Sequence, residues 1–77
     1  MNKLRRKKLD DIKTRIEILR ELLEELRDEE QEAMDNMPES LWETERYETM
    51  EEAVSSMDCA LDSLEEAMES IEEAIGE

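Results

Sequence analysis

Residues 53–75 read AVSSMDCALDSLEEAMESIEEAI, and alanine returns at 53, 60, 67 and 74, every seventh position. Large apolar residues keep a related rhythm through the same stretch: Val54, Met57, Leu61, Leu64, Met68, Ile71 and Ile75 are separated by three or four residues. Extended back to Tyr47 and Met50, this is the seam of an amphipathic helix, with Val54 at heptad position a and Met57 at d. The alanines then occupy g, while Thr49, Ser56, Ser63 and Ser70 occupy c. Aspartate and glutamate are confined to b, e and f. One flank of this helix is therefore small and uncharged, which a helix bathed in water on all sides does not require.

The rest of the chain has the same character. Its 77 residues include one glycine, one proline, no phenylalanine and no histidine, so helix formers dominate and an all-α protein is expected. In the first half Leu9, Ile12, Ile16, Leu19, Leu23 and Leu26 repeat the three-and-four spacing. Between the halves, Asn36 and Pro38 interrupt, Met37 before proline is steered away from helical geometry, and Ser40 with Glu43 has the spacing of a capping box. These signals predict a single domain with a helix over 3–34, a hinge over 35–39 and a second helix over 40–75.

The charges beside the seam select the topology. With Leu9 at a and Ile12 at d, the e positions of the first helix are Lys13, Arg20 and Arg27, and those of the second are Glu51, Asp58, Glu65 and Glu72. In an antiparallel pair e faces e, so rows of opposite sign meet, and an antiparallel helical hairpin with a heptad seam is expected. A constant register centred near Ser40 would pair Leu26 with Val54, Leu23 with Met57, Leu19 with Leu61, Ile16 with Leu64, Ile12 with Met68 and Leu9 with Ile71.

So short a chain buries only about 60% of the surface that its unfolded form exposes, so self-association is anticipated. Ile18 and Leu22 lie outside the a/d seam of the first helix, with Leu22 opposite Ala60 in that register. Together with Ala53, Ser56, Ala60, Ser63, Ala67, Ser70 and Ala74 they form the expected self-association surface, through which two hairpins join into a four-helix-bundle homodimer. High helix propensity alone would explain the alanines but not serines on one flank only.

Residues 1–27 hold nine of the ten basic side chains, and residues 28–77 hold nineteen of the twenty-five acidic ones, for a net charge of −15. Such a surface disfavours nucleic acid and anionic membrane and invites a basic-surfaced protein partner. No apolar run follows the basic start MNKLRRKK, and no segment approaches transmembrane length, so a soluble cytoplasmic protein is expected. Cys59 is the only cysteine and falls at f, so it forms no internal disulfide and no zinc site is expected.

Enzymatic chemistry is not anticipated. Histidine is absent, and no serine has a partner that would activate it. A carboxylate set made of Glu21, Glu24, Glu25 and Asp28 with Glu48, Glu51 and Glu52 offers a Mg²⁺-dependent nucleotide-hydrolysing bundle as a remote alternative, but these residues lie off the seam and a solvated face is the simpler account. Met34 and Met37 near the hinge are open to a partner role, whereas Met50, Met57 and Met68 fall on the seam. Trp42 is a candidate anchor for a partner or a plug at the turn end, and Tyr47 is read as a plug. Asp62, Glu65, Glu66, Glu69 and Glu73 are the candidate acidic binding stripe, by surface occlusion or by imitation of a nucleic-acid backbone. The cluster Lys3, Arg5, Arg6, Lys7 and Lys8 is expected to be neutralised by Glu72, Glu73 and Glu77.

The hinge Asn-Met-Pro-Glu-Ser-Leu over 36–41 and the helix start ERYETMEEA over 45–53 resemble a pattern of small acidic helical proteins of phages and prophages of Gram-positive bacteria. The resemblance covers about the last forty residues. It implies a phage accessory protein that binds and blocks a host enzyme or defence component. The alternative is an assembly protein whose coiled coil is itself the function.

Overall fold

The computed structural model describes residues 1–76 and contains two long helices, α1 (Lys3–Asp35) and α2 (Glu45–Gly76), joined by a short 3-10 turn over Glu39–Leu41. Strands are absent among the described residues. The helices, 33 and 32 residues long, lie side by side in a rod of 59 × 15 × 12 Å, the antiparallel hairpin that the heptads anticipate.

Both starts are capped. Asn2 stands in extended geometry before α1, and its Oδ1 accepts the Arg5 backbone N–H at 2.8 Å, satisfying a donor left over in the first turn. At the other end Pro38, which has no N–H, stops the helix, and Asn36 closes it by donating to the Glu32 carbonyl at 3.0 Å.

The second helix begins later than its sequence signal. Ser40 lies inside the 3-10 turn, whose hydrogen bonds run from Leu41 N–H to Pro38 O and from Trp42 N–H to Glu39 O, so no Ser40–Glu43 capping box forms. Thr44 takes that role instead. Its hydroxyl accepts from Tyr47 N–H at 3.3 Å and donates to the Leu41 carbonyl at 2.7 Å, so α2 starts at Glu45 rather than at residue 40.

The seam is realised on α2 and only half realised on α1. Val54, Leu61 and Met68, the a positions of α2, are buried, and Met50, Met57, Leu64 and Ile71 at d are half-buried. On α1 the a residues Leu9, Ile16 and Leu23 are half-buried, but Ile12, Leu19 and Leu26 at d are 46, 57 and 56% exposed. The three residues expected to pair with Met68, Leu61 and Val54 thus keep about half of their surface in water. In their place the e residues Lys13, Arg20 and Arg27 are drawn against α2. With a turn every 3.6 residues, replacing d by e rotates the contact face of α1 by about 50°.

The cause lies in the long basic side chains. Lys13 pairs with Glu72, Arg20 Nε lies 3.1 Å from Glu65, and Arg27 Nε donates to Asp58 at 2.8 Å, so their methylene stems cover the seam while their heads reach the acidic e row of α2. These pairs share a centre between Trp42 and Glu43. At the hinge end Met34 closes the core and is the most buried residue of the hairpin, which removes it as a partner contact.

Candidate protein-interaction site

The rotation of α1 gives the hairpin two unlike flanks. Along the ion-paired flank run Lys13–Glu72, Arg20–Glu65 and Arg27–Asp58, one pair every seven residues. Arg20 also donates through Nη1 to Glu24 at 3.1 Å, and Arg27 through Nη1 to Asp28 at 3.2 Å. Arg20 Nε is covered from water and, although close to Glu65, is out of line for a hydrogen bond. Hydrogen bonding to Glu72 holds the Lys13 ammonium above its usual 10.5, with burial pulling the other way, and hydrogen bonds to Asp58 and Asp28 raise Arg27.

On both sides of this row stand further carboxylates. A shallow groove of about 340 Å³ is lined by Glu17 and Glu21 of α1 and by Met68 and Glu69 of α2, around the Lys13 and Arg20 pairs. The candidate stripe on α2 is split by this arrangement. Glu65 is committed to Arg20, whereas Asp62, Glu66, Glu69 and Glu73 are exposed, make no ion pair among the described residues, and follow one another at spacings of four, three and four along one face.

The opposite flank is apolar. On α1 it carries Leu4, Ile12, Ile18, Leu19, Leu22 and Leu26, each between 46 and 61% exposed. On α2 Ala53, Ser56, Ala60, Ser63 and Ser70 are exposed and Ala67 and Ala74 half-buried. Every residue read from the sequence as a self-association position thus remains at the surface of the single hairpin. Leu4, Ile12, Leu19 and Leu26 were missed. For the three d residues among them the signal was the basic e row, whose stems compete with d residues for the seam.

At the turn, Trp42 Nε1 donates to the Met37 carbonyl at 3.0 Å, and the indole stacks on Tyr47 with ring centroids 6.3 Å apart. Its polar atom is thus tied to the hinge while the ring stays 44% exposed. Met37 and Tyr47 are half-buried, and Cys59 is exposed.

Two other groupings are not assembled. Glu21, Glu24, Glu25 and Asp28 line one surface depression and Glu48, Glu51 and Glu52 another, and no group of three or more acidic, cysteine or histidine side chains among the described residues is placed to hold a metal ion. Lys3, Arg5, Arg6, Lys7 and Lys8 make no ion pair among the described residues, because Glu72 is taken by Lys13; Glu77 lies outside the described residues. The expected neutralisation of this cluster by Glu72 is corrected accordingly.

Fold and flanks together define an antiparallel two-helix hairpin with one ion-paired edge and one open apolar edge. No protein-family model, curated protein or solved structure matches the chain. No helix among the described residues is long and apolar enough to cross a membrane.

Proposed function

We propose that this chain is a non-enzymatic protein-interaction module that works as a homodimeric four-helix bundle and presents acidic faces to a basic-surfaced protein. One observation carries the reading: the aliphatic row of α1 from Ile12 to Leu26 is exposed on the same flank as the alanine strip of α2, while the ion pairs between the helices are gathered on the other. An isolated hairpin with four buried side chains among the described residues, none of them below 2% exposure, has only a small core, and a second copy would enlarge it by covering the apolar flank. Dimerisation would leave Asp62, Glu66, Glu69 and Glu73 facing water. In a phage setting, which the hinge and helix-start motif resemble, that stripe would occlude a basic groove of a host enzyme or defence component.

A second reading has its own support. Asp58, Glu65 and Glu72 are engaged inside the hairpin, so part of the acid serves the fold, as in an assembly module. Reversing the charge of Asp62, Glu66, Glu69 and Glu73 to lysine separates the two. Loss of capture of a host protein, with unchanged helicity and sedimentation, supports the binding module. An unaltered capture profile supports the assembly module.

A further inference from the structure

The open flank of α1 carries more than apolar surface, because its charges are ordered along the helix. Around Ile12, Ile18, Leu19, Leu22 and Leu26, the exposed neighbours toward the N-terminus are Arg5, Lys8 and Arg15, and those toward the C-terminus are Glu25, Glu29 and Glu32. The one exposed acid of the basic half on this face, Asp11, is already bound by Arg15 at 3.1 Å. The first turn of α1 has no acidic residue and its last turn no basic one, an order that opposes the helix macrodipole at both ends. Electrostatics within the helix therefore do not account for the order. An antiparallel copy of the same helix does.

We infer that the occupant of this flank is a second copy of the chain, docked about a two-fold axis that crosses the helices near Leu19, so that α1 lies antiparallel on the partner's α1. The inference rests on the dimeric reading above and specifies its geometry. A two-fold level with the Ile18–Leu19 peptide sets Leu22 against the stem of the partner's Arg15 and Lys8 against the partner's Glu29, and brings Ile12 within about one residue of the partner's Leu26. Aliphatic residues meet in the middle and opposite charges at both ends.

Net charge points to the same contact. Helix α1 carries nine basic and eleven acidic side chains, whereas α2 between Glu45 and Gly76 carries one basic and eleven acidic. Two chains of net charge −15 approach at least cost through α1. The axis also suits α2. Arg20 stands level with Glu65, so the axis passes α2 within about one helical turn of the midpoint of its alanine row. The alanine row of α2 then runs along the partner's alanine row, where small side chains permit close antiparallel approach.

The alternative two-fold, parallel to the helices, would set α1 on the partner's α2 and bring neither Lys8 nor Glu29 near its complement. Cysteine crosslinking distinguishes the two. In a Cys59→Ser background, Lys8→Cys and Glu29→Cys are prepared as separate chains, mixed, oxidised and run without reductant. Within one chain these positions are about 30 Å apart along α1, far beyond the 7 Å or so that a disulfide spans, so any bond between them joins two molecules.

The inference predicts a crosslinked dimer from the mixture and little from either chain alone. Crosslinking of either chain alone would show like ends together and overturn the antiparallel arrangement. A dimer in sedimentation that fails to crosslink in the mixture would overturn the geometry and leave the dimeric reading standing, whereas a monomer would end both. Charge reversal provides a check without cysteine: Lys8→Glu should weaken dimerisation about three- to tenfold, since the pair occurs twice across the axis, and adding Glu29→Lys should restore it. A double variant no tighter than Lys8→Glu contradicts the pairing.

Discussion

Helices α1 and α2 are nearly equal in length and carry equally regular aliphatic rows, yet α2 buries its row and α1 leaves half of its own in water. The difference comes from the neighbours of the row. On α2 the e positions hold short acids that cannot fold back over the seam, so Val54, Leu61 and Met68 pack inward. On α1 the same positions hold Lys13, Arg20 and Arg27, whose stems fill the space where Ile12, Leu19 and Leu26 would otherwise sit. A heptad row marks which residues are apolar. It does not say which of two faces meets the neighbour when a long cation competes for the place.

The largest test of this contrast compares matched truncations. Leu61→Ala, at a buried a position of α2, should destabilise by about 2–5 kcal/mol, whereas Leu19→Ala should cost the hairpin under about 1 kcal/mol and act mainly on assembly. Thermal melts of both variants at low concentration, where a dimer dissociates, check the ranking, and equal losses would mean that α1 is not rotated.

The next test concerns where α2 starts. Thr44→Ala removes the hydroxyl that accepts from Tyr47 N–H and should cost about 1 kcal/mol, while Ser40→Ala should stay within about 0.5 kcal/mol. Urea melts of the two variants measure this, and the opposite order would restore the capping box at Ser40.

Arg27→Ala should lower the midpoint of a melt at moderate salt by less again, since the ion pair to Asp58 is partly exposed; Arg27→Met should recover the share owed to the stem. The smallest expected effect is with pH. Because Glu72 raises the folded pKa of Lys13, that contribution is whole below 10.5 and is lost as pH rises through the higher folded value. Melting temperature measured from pH 9 to 12 should fall less steeply in Lys13→Met, and identical slopes would remove this pair from the account.

Much of the hairpin was legible from residue order because heptads, opposite e rows and a proline-marked hinge report local and pairwise physics. Val54, Leu61 and Met68 were read into the core correctly, and Ile18, Leu22 and the alanines were placed on an open flank. What escaped was the rotation of α1, which depends on how far three basic stems reach, and with it Ile12, Leu19 and Leu26 as surface residues. The start of α2 was misplaced because Ser40 and Thr44 both offer a hydroxyl, and only the 3-10 turn set by Pro38 decides between them. Asp62 and Glu65 looked alike as acids in one stripe until Arg20 claimed Glu65.

Sedimentation equilibrium of the native chain beside Leu19→Asp, with circular dichroism on both, tests the open flank most directly. A native species of twice the 9.1 kDa chain mass and a helical Leu19→Asp monomer are predicted. A native chain that stays monomeric at high micromolar concentration with full helicity would contradict the account.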